Sequence, residues 1–416
     1  MTAKPEPKST TGLPRWLSVD AALAHVLDVP YPHEMERVSL AEAHLRVLAE
    51  DCLADLDQPA FERAMMDGLA LRSGDCVEEG VWLRELGQAP AGTPFEGGVT
   101  PGSCVRVMTG GVVPSGADAV VPVELVTAER LGQQDGYRIR ASARPGQHVA
   151  SRGSEVREGE RVLAAGERLT AARVGVLASF GCSEPSVFHR PRVSVVPTGT
   201  EIVSIDDRPG LGQVRNSNAW ALRAHFGSLG GEVELVDAVI DDQDVLDRAL
   251  ASAAERSELI VTCGGVSMGD YDLVVGSLRR LGAEIQFHRV ALKPGKPVLL
   301  ARLGSAWVLG LPGNPVSAMT CATLFGRPLM ARLSGERGAR WRVTRAKLAG
   351  AIKGTRSRVE FRPGRWTRDG AVTPVKTAGS ADLAHFAAGD AWLMLPPKMP
   401  AREPGDEVDV WEWTSP

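Results

Sequence analysis

Residues 258–281 read ELIVTCGGVSMGDYDLVVGSLRRL, and the fold turns on this stretch. Leu259 to Cys263 run without polar alternation, which is the pattern of a strand buried on both faces in a parallel sheet covered by helices. Gly264, Gly265 and Gly269 break the run, and a helical pattern from Asp272 to Leu281 comes next. A glycine-rich turn between strand and helix lets backbone N–H groups approach an anion, and the helix after it adds its N-terminal dipole. A pair of glycines is also what any tight turn with positive φ requires. Here Ser267, Asp270 and Asp272 in the same loop favour the ligand-binding reading.

The alternation continues on both sides. Strands are predicted at 192–197, 232–240, 258–263, 284–290, 298–302 and 307–311, with helices at 219–229, 244–255, 272–281 and 316–333. The expected fold is therefore a doubly wound, mostly parallel α/β domain over residues 185–336. Ligands of open α/β sheets sit beyond the carboxyl ends of the strands, so the residues there test function. They are Thr198-Gly199-Thr200-Glu201, then Asp241-Asp242, the glycine loop, Lys293-Pro294-Gly295-Lys296-Pro297, and Leu311-Pro312-Gly313-Asn314-Pro315-Val316-Ser317. Glycine, carboxylate and lysine on one edge suit a phosphorylated ligand with a divalent metal. Glu201, Asp242 and Asp272 are hard oxygen ligands of the kind Mg²⁺ takes. Asp242 equally fits a helix N-cap, and Asp272 a favourable first-turn charge. Lys293 and Lys296, stiffened by Pro294 and Pro297, suit a tetrahedral oxyanion; a solvated surface turn is the alternative. Pro315 is a good helix start, with Ser317 in the first turn.

The flanks have other textures. Residues 17–56 carry helical apolar spacing (Leu40, Ala43, Val47, Leu48) and are expected to hold two helices. Residues 59–155 are punctuated by Gly and Pro, with short β-like runs at 81–86, 104–108, 119–126 and 137–142, which predicts a small, mainly antiparallel β domain. A helix is expected at 171–180. The tail, 342–413, carries hairpin and turn signals at Asp369-Gly370 and Glu403-Pro404-Gly405 and reads as a small β barrel or sandwich. Met65-Met66-Asp67-Gly68 and Met108-Thr109-Gly110-Gly111 set Asp67 and Thr109 on glycine-flanked loops that, taken alone, read as turns.

Composition narrows the function classes. The chain has 416 residues, too many for one hydrophobic core. With 47 basic and 51 acidic residues and a net charge of −4, it has no overall basic field for nucleic acid or an anionic membrane. The six cysteines form no CxxC pair and suggest reduced thiols of a cytoplasmic protein rather than a zinc site. Residues 1–15 read as a disordered arm rather than a signal peptide. No apolar run approaches the ~18 residues of a membrane span. The eight histidines are scattered singly, and none is assigned a role.

Six ordered motifs, MMDG (65–68), MTGG (108–111), PTGTEI (197–202), GGVSMGDYD (264–272), KPGKP (293–297) and LPGNPVS (311–317), resemble the molybdopterin molybdenumtransferase family, bacterial MoeA and the gephyrin E domain. The resemblance covers nearly the whole chain after Trp16. It implies a split helical domain (16–57 and 156–184), an inserted β domain (58–155), the α/β molybdopterin-binding domain (185–336) and a C-terminal β barrel (337–416). It also implies Mg²⁺-dependent insertion of molybdate into adenylylated molybdopterin, with release of AMP. The sister adenylyltransferase and a gephyrin-like scaffold without catalysis are the alternatives.

Roles carry over position by position. Asp272 matches the aspartate most tied to cleavage of the adenylyl phosphoanhydride, with Glu201 and Asp242 nearby and Asp67 and Thr109 contributed across a homodimer. Gly264, Gly265, Ser267, Gly269, Pro312, Gly313, Asn314 and Pro315 match the substrate-binding turns. Lys293, Lys296, Ser317, Arg358 and Ser380 match a molybdate pocket. The partners implied are the adenylyltransferase and molybdoenzyme targets, with neither nucleic acid nor membrane. The chain departs from the family pattern at Leu69, where tyrosine usually comes after MDG. Pro197 and Thr200 stand in place of the serine and aspartate of STGDE, and Ser154-Glu155 in place of Glu-Asp.

Overall fold

The computed structural model describes residues 16–266, 273–339 and 341–412. At its centre lie β1 (Arg192–Pro197), α1 (Ser217–Ser228), β2 (Glu232–Leu235), α2 (Gln243–Arg256), β3 (Leu259–Cys263), α3 (Leu273–Arg280), β4 (Glu284–His288), β5 (Leu299–Leu303), β6 (Ala306–Leu311) and α4 (Pro315–Cys321). The strands pair in the order β2-β1-β3-β6-β5-β4. The first four are mutually parallel. The β6–β5 and β5–β4 pairs are antiparallel. Leu303 pairs with Ala306 across a tight turn in which Gly304 adopts φ +61°. Strands buried on both faces look alike in sequence whichever way they run, so this antiparallel edge is set by turn length rather than by apolar pattern.

Alternate side chains of the central strands feed two cores. Val193, Val195, Leu259 and Val261 pack with α1, α4 and the helix Arg327–Leu333. Val196 and Ile260 pack with α2 and α3. After α4 the chain passes through a π-helical turn, Ala322–Gly326, before Arg327–Leu333, where the sequence suggests one continuous helix.

The N-terminal segment corrects an expectation. Only one helix, Val19–Leu27, forms in it, capped by the Ser18 hydroxyl, and it packs on the α/β core through Val19, Ala22 and Val26. Leu40, Ala43, Val47 and Leu48 are not helical. Leu45 adopts φ +63°, and the Leu45 and Leu48 N–H groups donate to the carbonyls of Leu169 and Glu167. Val47 and Leu48 bridge to Arg168 and Val187. Tertiary pairing with the returning chain overrides the local helical spacing.

The two legs of that region carry the β domain through short pairs, Cys52–Leu53 with Arg161–Leu163 and Arg63–Ala64 with Val149–Ala150. Its six-stranded sheet is antiparallel except where Trp82–Ala89 meets Ser103–Val107. In the C-terminal region, Val359–Trp366 pairs with Ala391–Leu395, and Glu407–Glu412 with Val343–Lys347. The sheet curls back on itself through a single bridge between Leu348 and Val372. Its other edge is decisive for the site: Leu292–Lys293, from the α/β domain, adds as a parallel strand beside Val359 and Glu360. Among the described residues no helix is long and apolar enough to cross a membrane.

Candidate active site

β1 lies between β2 and β3, so the chain reverses its direction of growth at the carboxyl end of β1 and opens a crevice there. A cleft of about 1040 Å³ occupies this position. Its floor is Gly264 and Gly265, just after β3, and Pro312 to Pro315, just after β6. Gly264 is required: at φ +106°, a Cβ there would meet the Thr198 carbonyl oxygen at 2.3 Å. Asn218 ties the two turns together, its Nδ2 donating to the Gly313 carbonyl at 2.7 Å and to Cys263 Sγ at 3.2 Å. Burial pushes the Cys263 thiol up to about 12, so it stays protonated.

Two carboxylates line the cleft, Glu201 and Asp241. Asp241 accepts from the Thr200 N–H at 3.2 Å and the Thr200 hydroxyl at 3.3 Å. Asp242, the residue expected as a metal ligand, instead caps α2, accepting from the N–H groups of Asp244 and Val245 at 3.0 and 2.9 Å. Of the two readings that the sequence left open for Asp242, this geometry supports the cap, and Asp241 is the member of the pair that lines the cleft. The residue immediately before a helix is the one positioned to cap it, which leaves its predecessor at the strand end. Ser267, Gly269 and Asp272 lie outside the described residues. Among the described residues no three His, Cys, Asp or Glu side chains gather as metal ligands. Glu201 and Asp241 nonetheless fit Mg²⁺, which commonly takes one or two protein carboxylates and completes its shell with water and phosphate oxygens.

Beside the cleft, Pro297 of the lysine loop and Ala381 and Leu383 of the C-terminal region form its rim. Lys296 Nζ stands 4.2 Å from the centroid of the Trp16 ring, and the Arg358 guanidinium 6.0 Å from the same ring. Lys293 pairs at 3.2 Å with Glu360, a residue only 5% exposed, whose other oxygen accepts from Arg362 at 2.7 Å. Burial pushes the Glu360 carboxyl up, but the bonds from Arg362 and Lys293 outweigh it and hold the group below its ordinary range. Ser380 fastens the C-terminal region to the start of α4: its hydroxyl accepts from Asn314 Nδ2 at 2.9 Å, and its carbonyl from the Val316 N–H at 2.9 Å. Ser317 is buried in α4. Gly295 presses on α4, where a Cβ would meet Cys321 Sγ at 2.3 Å.

Asp67 and Thr109 come together, but away from this cleft. The Thr109 N–H and hydroxyl donate to Asp67 Oδ1 at 2.6 and 2.7 Å, which with Arg106 keeps the carboxyl below its ordinary range. Neither residue lines the cleft of its own chain. Around them Met65, Met66, Met108, Val123 and Leu125 are exposed. Leu69, by contrast, is a buried core residue of the β domain.

Sequence reasoning missed Asp241, Asn218, Trp16 and Glu360. The doubled aspartate was a signal for the first. The other three become visible only through long-range contacts.

The two aspartates should separate by mutation. Asp242→Ala should lower stability by about 0.5–2 kcal/mol while Asp242→Asn leaves it nearly unchanged. Asp241→Asn should leave stability nearly unchanged yet depress activity; denaturant midpoints alongside turnover distinguish the two roles. For Glu360, a carboxyl held below its ordinary range contributes stability that is complete above the unfolded pKa and is lost as pH falls through the folded one. The gap in thermal midpoint between wild type and Glu360→Gln should therefore be widest near neutrality and close as pH drops from about 5 to about 3. A gap independent of pH would show that the ion pair does not set it.

Comparison with known proteins finds relatives over nearly the whole chain. Residues 17–181 match the model of the MoeA N-terminal region (domain I and II), residues 194–332 that of a probable molybdopterin binding domain, and residues 345–413 that of the MoeA C-terminal region (domain IV). The molybdopterin molybdenumtransferase of Haemophilus influenzae is 33% identical over 77% of this chain and 78% of its own length. The Bacillus subtilis molybdopterin molybdenumtransferase is 28% identical over 96% of each. The crystal structure of the molybdopterin biosynthesis MoeA protein from Pyrococcus horikoshii OT3 superposes with a TM-score of 0.79 at 28% identity, covering 96% of this chain and all of the other.

Proposed function

The chain belongs to the MoeA family, the molybdopterin molybdenumtransferases of molybdenum cofactor biosynthesis, and from that premise we propose that it inserts molybdate into adenylylated molybdopterin with release of AMP. One observation carries this reading: two carboxylates and two glycine-bearing turns face a single cleft, and Pro297 of the lysine loop reaches its rim. The turns at Gly264-Gly265 and Pro312 to Pro315 offer backbone to a phosphorylated ligand. Glu201 and Asp241, with Asp272 beyond the described residues, would hold Mg²⁺, which when bound offsets the negative charge of the phosphate oxygens. Lys293, Lys296 and Arg358, with Ser317 and Ser380, make the pocket for the molybdate oxyanion. Trp16 and Glu360 hold these cations in place. Orientation of the two substrates and stabilisation of developing charge supply the rate.

The working unit in this reading is a homodimer. Asp67 and Thr109 stand outside the cleft of their own chain among exposed methionines, an apolar surface suited to cover a partner's site.

AMP release in a single turnover with adenylylated molybdopterin, across a Mg²⁺ series, tests the chemistry. Asp272→Asn should still bind substrate but release AMP about 10²–10³ more slowly, the usual cost of one transition-state stabiliser. Wild-type rates at low Mg²⁺ in that variant would remove Asp272 from the mechanism. Lys296→Ala should raise the molybdate concentration needed, with partial rescue by excess molybdate.

A dimer mixed from Asp67→Ala and Asp272→Ala subunits should recover about one site in two, because one composite site keeps both residues. Subunits that verifiably exchange yet stay inactive would rule out sharing.

A further inference from the structure

Lys293, Lys296 and Arg358 are not among the described residues that line the cleft; the one lysine or arginine among them is Arg215. Glu201 and Asp241 line the same cleft, so a phosphorylated ligand entering it meets negative charge, which a guanidinium offsets.

The backbone holds Arg215 in this place. After β1 the chain turns at Gly199 and runs through Ile202 and Val203; a loop later, Val214 and Arg215 pair in parallel beside them. The Val214 N–H donates to the Glu201 carbonyl at 2.9 Å, and the Asn216 N–H to the Val203 carbonyl at 3.0 Å. Arg215 is thereby fixed opposite Val203, two residues from Glu201. Its Nε donates to the Asp207 carbonyl at 2.9 Å, which anchors the side chain to the loop. Among the described residues its two terminal nitrogens have no partner, and no ion pair joins it to Glu201 or Asp241.

The sheet separates this cation from the lysine loop. Across the sheet the order is β1-β3-β6-β5-β4. Arg215 ends the loop after β1, and the lysine loop follows β4. At ~4.8 Å per strand, roughly 19 Å lies between β1 and β4, too far for one tetrahedral anion to bridge. A ligand that spans the turns after β3 and β6 meets Arg215 on one side and the lysine loop on the other.

We propose that Arg215 binds the adenylyl phosphate of the substrate, its terminal nitrogens donating to the phosphate oxygens of a nucleoside monophosphate group, an inference that rests on the reading of the cleft as the site of adenylylated molybdopterin. With molybdate at the lysine loop, the dithiolene that receives it faces that side, and the adenylyl end extends toward β1. There the planar guanidinium donates two parallel bonds to one phosphate. Arg215 touches the same phosphate in the substrate and in released AMP, so it supports the binding of both and adds little to the rate of cleavage.

The test is equilibrium binding of AMP and of adenosine to the full-length chain by calorimetry, with Mg²⁺ held constant. Wild type should bind AMP more tightly than adenosine. Arg215→Gln should lose about 10- to 100-fold in AMP affinity, the usual effect of losing a hydrogen bond to a charged group, with adenosine affinity and thermal midpoint unchanged. Arg215→Lys keeps the charge without the fork and should recover part of the loss. Wild-type AMP affinity in Arg215→Gln would overturn the proposal and leave the reading of the cleft intact. Equal losses for AMP and adenosine would overturn it as well, since they would mark Arg215 as a support of the loop. Wild type that binds AMP no better than adenosine would instead overturn the reading of the cleft, and the proposal with it.

Discussion

A carboxylate buried between two cations fixes how the C-terminal region meets the α/β domain. Glu360 is 5% exposed, and a charge that deep is tolerated only when paired and hydrogen-bonded. Lys293 comes from the lysine loop and Arg362 from Glu360's own strand. The same strand edge carries the parallel pairing of Leu292 and Lys293 with Val359 and Glu360. Register and charge therefore coincide: a slip of one residue would turn Glu360 to the other face and leave Lys293 without its partner. Once this seam is set, Ser380 reaches the start of α4, and Ala381 and Leu383 arrive at the rim of the cleft.

The α/β domain was legible because its signals are local and mutually consistent. Unbroken apolar runs, glycine at the strand ends and capped helices all point to one arrangement. Strand β1 matches the predicted limits, and β3 and β6 fall within a residue of theirs. The apolar pattern had no way to express the reversed direction of β5, because direction depends on the turn at Gly304. The second helix expected near Leu40 to Leu48 failed for the opposite reason. Its spacing is helical, but Leu45 in a left-handed conformation and the bonds to Leu169 and Glu167 commit the backbone to a long-range partner.

The site was legible by element rather than by atom. The glycine turns, Glu201, the lysine loop and Pro312 to Pro315 all stand at the carboxyl ends of strands, where the pattern of the sheet directs attention. No such position marks Trp16, which is remote in sequence from the lysine and arginine that stand over its ring. Nor does one mark Glu360, a single acidic residue among the 51. At Asp242 the sequence left cap and ligand open, because cap chemistry and ligand chemistry call for the same residue type and only the geometry of the helix start separates them.

The place of Asp241 on the cleft wall bears on the departures from the family pattern. Thr200 removes a carboxylate beside Glu201, yet its hydroxyl and N–H hold Asp241 at the same strand end. The cleft is lined by Asp241, from the loop after β2, as well as by Glu201. Both bonds from Thr200 reach Asp241 Oδ2 and hold that oxygen near the end of β1. Leu69 tells a different story. Its side chain is buried among Leu71, Leu83, Val121 and Ile139, so replacing an aromatic ring there alters the packing beneath the Asp67 loop and leaves Asp67 and its bonds to Thr109 in place. At one departure Thr200 bonds a carboxylate that lines the cleft, and at the other Leu69 is absorbed in the core.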